Sequence, residues 1–438
     1  MRCAEALLLA LALVLAGCGG GNSTETRCVG ANCNGITPGQ AGPEVAVLEP
    51  TGANTTEIVV DSGPPSGFAL GVTNLPYVSV KVCAPGSSTA CTTVDHVFLD
   101  TGSIGFRVLR SALNGVALPA TTNAGAPVAE CYPFVIGAVW GPLARADLQI
   151  GGEAAANLPV QVIDDIDAPA PGSPAAPADC VAAANGQLLN SVAKLQAKGV
   201  LGVGMLPYDC GLACELGSYG GTVTLYQRCD GAGCAPLPVP ADEQVANPVA
   251  HFAVNNNGTL IVLPAVPDTG ASLARGRLVF GIGTQANNQL STAATLLRVQ
   301  TDPAQADYLY LATTVGGRRY PYSYLDSGSN GLFFDDATLS TRCIGAGSGS
   351  SWYCPGTTTA RSADLADPFG NAATVRFSIT SADLLFASPN VAYATLGGSA
   401  GAADANAFVW GLPFFFGRGV YTSIWGQALA DNGPWFAF

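Results

Sequence analysis

The chain of 438 residues is poor in charge: Asp, Glu, Lys and Arg make up only 11%, with 18 basic against 31 acidic residues and a formal net charge of −13. Only three of the basic residues are lysines, Lys81, Lys194 and Lys198. No basic cluster is available to meet phosphates, so nucleic acid is not an expected partner. Histidine is scarcer still, with His96 and His251 alone, both inside apolar segments where they read as core or strand-edge residues. A Ser-His-Asp triad or a His-based zinc site is therefore not supplied. No Gly-Lys-Ser/Thr phosphate loop occurs, and neither a cofactor nor a metal is expected. Beyond the first residues no apolar run is long enough to span a bilayer as a helix.

What is present in quantity is apolar and turn-forming: 48% hydrophobic residues, 54 Gly and 30 Pro, the composition of a folded protein able to bury a large core. From about residue 44 onward, short runs rich in Val, Leu, Thr and Tyr alternate with Gly, Pro and Asn, which predicts an all-β protein. The best helix candidate is 185–199, and a second, short one follows "FFDDATLS" at 333–340. The Pro/Ala-rich stretch 167–180 reads as a surface loop.

The chain opens with "MRCAEALLLALALVLAGCGGG", in which Arg2 precedes an apolar run over 6–16 that suits a signal-peptide core. The run ends in Leu15-Ala16-Gly17-Cys18, which resembles the lipobox of bacterial lipoproteins; Glu5 departs from the usual positive start. That resemblance implies a signal peptide over 1–17, removed before Cys18, and a lipid on Cys18 that tethers the mature protein to a membrane. Gly19 stands where an inner-membrane lipoprotein often has Asp, so an outer-membrane location is expected. Residues 18–45 read as a flexible, Gly-rich tether, too polar and too short for an inhibitory prosegment. Of 14 cysteines, Cys3 and Cys18 are spent in the leader and the lipid. The other twelve fall as Cys28/Cys33, Cys83/Cys91, Cys210/Cys214, Cys229/Cys234 and Cys343/Cys354, with Cys131 and Cys180 left for each other. Disulfides in an oxidising compartment are expected, and a nested pairing of Cys210 with Cys234 and Cys214 with Cys229 is equally open.

One unit occurs twice. "VFLDTGSIGFRV" at 97–108 and "SYLDSGSNGLFF" at 323–334 are both apolar runs entering an Asp-Thr/Ser-Gly-Ser turn. Each follows a hairpin pattern, and each has a later strand of two apolar residues and a Gly, "VLGVG" at 200–204 and "VWGLPFFF" at 409–416. Duplication into two similar lobes, 46–265 and 266–438, is the natural inference.

This arrangement resembles the pepsin-like aspartic peptidases. "DTGSIGFRV" is similar to their first catalytic turn, "KGVLGVG" to the strand beneath it, and "WGPLARADLQIGG" at 140–152 to the strand descending from the flap. "NPVAHFAVNNNGTLIVL" and "FVWGLPFFFGRGVYTSIW" resemble the end of the first lobe and the last long strand of the second. The matches run in family order over roughly residues 70–425. The chain is also similar to an uncharacterised family of bacterial lipoproteins with the same duplicated arrangement. The resemblance implies a bilobal double-β-barrel fold with a cleft between the lobes, and catalysis by a pair of aspartates, Asp100 and Asp326.

Two adjacent carboxyls cannot both stay ionised, so one proton is shared; one group can then act as base and the other as acid. Gly102 and Gly328 would allow close backbone approach, Thr101 and Ser327 would lock the two turns across the symmetry axis, and Ser103 and Ser329 are placed to donate to the outer carboxylate oxygens. A third turn, "PDTGASL" at 267–273, carries Asp268, but Pro267 replaces the strand residue and no hairpin precedes it, so Asp326 is the expected partner of Asp100. Tyr132 reads either as the flap tyrosine, given a two-residue insertion, or as a buried aromatic. Trp425, where many relatives carry an acidic residue, reads as packing. The terminal "PWFAF" is similar to outer-membrane barrel ends, but the lipobox and the expected disulfides argue against a barrel. Two functions follow: a lipid-anchored, monomeric aspartic endopeptidase acting on polypeptide, or a catalytically silent protein of the same fold that binds peptides or a partner in its cleft.

Overall fold

A computed structural model describes residues 39–65, 71–168, 173–183, 186–217, 225–231, 233–302, 309–401, 404–427 and 433–438. The expected signal 1–17, the lipid site Cys18, most of the tether and the Cys28/Cys33 pair lie outside the described residues.

The protein is mostly β, and the alternation in the sequence explains how. In Pro76–Cys83, Val78, Val80 and Val82 face the core while Ser79 and Lys81 are exposed. This strand pairs antiparallel with Cys91–Asp100, setting Cys83 opposite Cys91, and a disulfide closes the pair. Among the described residues the strands form one sheet of 17 and a second of 7.

Both sheets contain the same local arrangement. In the larger, Cys91–Asp100 ends at Asp100 and the chain returns as Ile104–Leu109. Gly199–Val203 then pairs with both: parallel to the first, with Gly202 opposite Asp100, and antiparallel to the second, with Gly202 opposite Gly105. In the smaller sheet Arg318–Leu325 leads to Asp326 and Leu332–Phe333 leaves the turn. Ala407–Trp410 pairs with both, parallel to the first with Trp410 opposite Leu325, and antiparallel to the second with Trp410 opposite Leu332. A strand fully buried on both faces must be apolar throughout, which is why the two-apolar-plus-Gly segments stood out. Beneath the second turn, Phe334 stacks on Phe408 with centroids 4.5 Å apart, and Phe408 on Trp410 at 4.2 Å. The Trp410 indole donates to Thr313 Oγ1 at 3.0 Å, so its one polar atom is satisfied inside the core.

Chain beyond residue 266 contributes to both sheets. Gly258–Val262 pairs with Leu273–Phe280 and with Gly419–Ser423, and Trp435–Ala437 pairs with Leu296–Arg298 and Gly419–Ser423, all within the larger sheet. The terminal aromatics Trp435 and Phe436 are thereby buried.

Among the described residues five disulfides join Cys83–Cys91, Cys131–Cys180, Cys210–Cys214, Cys229–Cys234 and Cys343–Cys354, which closes the nested alternative. Both helix expectations need correction. Within 185–199 only Val192–Leu195 is helical, capped by the Ser191 hydroxyl and ended by Gln196 at φ 56°. The residues before it form a single parallel β-bridge, Leu188 beside Ala138, whose N–H donates to the Gln187 carbonyl at 3.0 Å and whose carbonyl accepts from Leu189 at 2.8 Å. Backbone pairing supplied by the fold outweighs a modest helix propensity. No helix follows 333–340 either: residues 341–350 are irregular and turn backbone, and just before them the Asp336 carboxylate holds a turn by accepting from the Thr338 N–H and hydroxyl and from Arg361. No helix among the described residues is long and apolar enough to cross a membrane.

Candidate functional site

The two Asp turns meet. Asp100 is the last residue of its strand and Asp326 the first after its own, and both are buried, at 5% and 9% exposure. The following hydroxyls cross between the turns. The Ser327 N–H donates to Thr101 Oγ1 at 2.9 Å, and the Thr101 N–H donates to Ser327 Oγ at 3.1 Å. Each hydroxyl then donates backward under the other strand, Thr101 to the Leu325 carbonyl at 3.3 Å and Ser327 to the Leu99 carbonyl at 2.9 Å. Four hydrogen bonds related by a two-fold pattern thus lock the turns face to face. The glycines make the approach possible: a Cβ on Gly102 would lie 2.7 Å from Asp326 Oδ1, and one on Gly328 would overlap Asp100 Oδ1.

Each carboxylate accepts the N–H of its own turn glycine, Gly102 to Asp100 Oδ1 at 2.7 Å and Gly328 to Asp326 Oδ1 at 2.8 Å. The outer oxygens differ. Ser329 Oγ donates to Asp326 Oδ2 at 2.6 Å, whereas the buried Ser103 hydroxyl has no partner at all. The expected Ser103 donation to Asp100 is therefore not made. Burial, and then the Asp100 carboxylate within hydrogen-bond reach, push the Asp326 carboxyl well above the usual carboxylate range, against the ionisation-favouring bonds from Ser329 and Gly328. The pair therefore keeps one proton to higher pH than an isolated carboxyl would, and titrates as a unit. A carboxylate beside a carboxylic acid can take a proton from one group and give one to another.

Residues 50–438 match a family described as "Protein of unknown function (DUF3443)". The chain belongs to DUF3443. No curated protein matches it.

In this DUF3443 chain Asp268 is not part of the pair. It lies in the exposed turn closed by the Gly270 N–H to the Pro267 carbonyl, beside a separate cavity lined by Phe377, Trp410, Phe414 and Arg418. Tyr132 sits on a hairpin, Ala126–Phe134 with Gly137–Ile150, two residues before its tip. Its ring is buried, 3.6 Å from the Arg107 guanidinium and edge-on to Phe134. That hairpin is pinned on both sides. Tyr226–Asp230 pairs with one strand, the 187–189 segment bonds to Ala138 of the other, and the Cys131–Cys180 disulfide ties it to the helix Ala178–Ala183.

The one group of metal-ligating side chains among the described residues, Cys343, Cys354 and Asp383, is already used. The cysteines are bonded to each other, and Asp383 accepts the N–H groups of Ile344, Gly345 and Gly347 at 2.7 to 3.0 Å.

Two features escape a reading of the sequence alone. Tyr324, two residues before Asp326, is pushed well above the usual phenol range by burial and by the Asp326 charge, and packs with Tyr310, whose ring also meets Tyr322. The alternation "YPYSYLD" was the available signal. Arg107, in the middle of the apolar strand Ile104–Leu109, is fully buried. An arginine in an otherwise apolar strand was the clue, but its partners come from distant segments.

Proposed function

We propose that the protein is a pepsin-like, two-lobed aspartic endopeptidase that hydrolyses peptide bonds with a water activated between Asp100 and Asp326. The observation that carries this reading is the paired turn: two buried carboxyls, each at the end of an equivalent strand, locked by reciprocal Thr101–Ser327 bonds and holding one proton. In the reaction the ionised carboxyl takes a proton from water as the water oxygen bonds to the peptide carbonyl carbon, and the protonated carboxyl gives its proton to the carbonyl oxygen. The C–N bond then breaks as the departing nitrogen is protonated and the second hydroxyl proton returns to the pair, so the two carboxyls end as they began. In this reading the mature protein is exported, lipidated at Cys18 and held at the outer membrane by that lipid. Loss of the protein from the detergent-extractable membrane fraction on Cys18→Ser checks the anchor, and retention there refutes it.

A second reading, peptide or partner binding without turnover, is favoured by the pinned hairpin and by the unpartnered Ser103. One assay separates them: protein lacking its signal and Cys18, an unfolded protein substrate, and buffers from about pH 3 to about pH 7, a range spanning the ordinary and raised carboxyl titrations. The peptidase reading expects cleavage with an acid optimum, lost in both Asp100→Asn and Asp326→Asn, and tighter binding of a statine-type inhibitor to the wild type than to either variant. No cleavage by a folded protein that still binds peptide supports the second reading. Cleavage that survives Asp100→Asn removes the aspartic mechanism.

A further inference from the structure

Behind the Asp100 turn lies a second buried pair of carboxyls, with a single cation between them. The side chains of Arg107, Glu130 and Asp209 are fully buried. Arg107 Nη2 donates to Glu130 Oε1 at 2.8 Å and to Asp209 Oδ2 at 2.9 Å. Its Nη1 donates to the carbonyl of Ile104, the first strand residue after the Asp100 turn, and its guanidinium lies over the Tyr132 ring of the hairpin. One side chain thus touches the catalytic turn, the hairpin and both acids. The remaining titratable neighbour is Tyr226, from the strand Tyr226–Asp230, which donates to Asp209 at 2.7 Å and accepts the Val245 N–H at 2.8 Å.

The charges do not balance as they stand. One guanidinium between two carboxylates leaves a buried negative charge, which costs several kcal/mol. Glu130 Oε2 is also buried without a donor. Asp209 and Glu130 are within hydrogen-bond reach of each other, so a proton on Asp209 supplies the missing donor and brings the group to neutrality. Consistently, burial and then the Glu130 charge push the Asp209 carboxyl well above its usual range. Burial works against the Arg107 charge, but Glu130, Tyr132 and Asp209 together hold the guanidinium protonated.

We propose that Arg107 is a positioning residue that ties the Asp100 turn to the Tyr132 hairpin, and that the tie holds only while Glu130 and Asp209 share a proton. The tie stands on the contacts; its bearing on catalysis rests on the peptidase reading above. Below the ordinary carboxylate range the contribution of the Asp209 proton is complete. As pH rises through the raised titration of Asp209 the second negative charge appears, the stabilisation is lost, and turn and hairpin are released together.

The test is hydrogen–deuterium exchange read by mass spectrometry on peptides covering 97–109 and 126–150, corrected for the intrinsic pH dependence of exchange. It is run from about pH 4 to about pH 8 on the wild type, Asp209→Asn, Glu130→Gln and Arg107→Lys. In the wild type both segments should lose protection at one pH, by about tenfold or more. In Asp209→Asn the amide donates to Glu130 permanently, and protection should not change over the range. Arg107→Lys keeps the charge but cannot span the three acceptors, so the two segments should open independently. If Asp209→Asn shows the wild-type step, or the wild-type segments open at different pH values, the proposal is overturned. Should Asp209→Asn fail to fold, Glu130→Gln carries the same comparison. Inhibitor binding on the same proteins separates the two claims: its loss at higher pH should move upward in Asp209→Asn. A shared exchange step with no inhibitor binding in any variant keeps the tie and removes its catalytic meaning.

Discussion

At the scale of single residues, the pair of turns makes sharp demands. Gly328→Ala places a methyl group on Asp100 Oδ1, and because the atoms it meets are the two buried Asp carboxyls, each held by its turn's N–H, the strain should cost about 1–3 kcal/mol in urea unfolding, with loss of any cleavage. Asp326→Asn has a signed pH dependence. The wild-type carboxyl is held well above its usual range, so its protonated form stabilises the fold fully below the ordinary carboxylate range, and that contribution is lost as pH rises through the raised value. The neutral amide does not titrate. Unfolding midpoints of the two proteins should be close at about pH 4, and the variant should gain on the wild type toward about pH 7; parallel curves would contradict the shared proton. Much of this site was legible because its information is local. An Asp-Thr/Ser-Gly turn is spelled within four residues, and the second copy removes the ambiguity of the first. Arg107 was not legible: its acids lie 23 and 102 residues further along the chain, and no local pattern brings them together. The absent Ser103 bond was not legible either, since a hydroxyl's rotamer depends on what packs beside it.

At the scale of elements, the reciprocal hydroxyl bonds act as a unit. Thr101→Val and Ser327→Ala each strand a buried N–H and should cost about 1–3 kcal/mol alone. The double variant should cost clearly less than the sum, since each change already breaks bonds that the other uses. Disulfide removal gives a ranking. Cys131–Cys180 closes a separation of 49 residues and Cys83–Cys91 one of 8. Chain-entropy arguments give about 4 kcal/mol for the longer loop and about 2.5 kcal/mol for the shorter. Paired Cys→Ser changes should follow that order in thermal unfolding, and only the Cys131/Cys180 change should speed amide exchange in the hairpin. The strands themselves were readable from period-two alternation and fully apolar runs. The helix expected over 185–199 shrank because its first half found a partner in Ala138, and pairing between remote segments leaves no trace in a local window. The dense glycine and proline punctuation marked where strands end, but not which sheet each strand joins.

At the scale of the whole molecule, sequence halves and structural layers do not coincide: strands from 273–280, 296–298, 419–423 and 435–437 complete the larger sheet. Removing residues 434–438 should leave Leu296–Arg298 and Gly419–Ser423 with open edges, and light scattering should show self-association that the full chain lacks. The interlocked turns have a consequence for the cell that makes the protein. A ribosome has produced Asp100, Thr101 and their strand long before Asp326 and Ser327 exist, and the larger sheet, which seats the Asp100 turn, waits for its last strand. A growing chain therefore carries no carboxyl pair. Whatever chemistry the pair performs begins only when segments 226 residues apart have found each other.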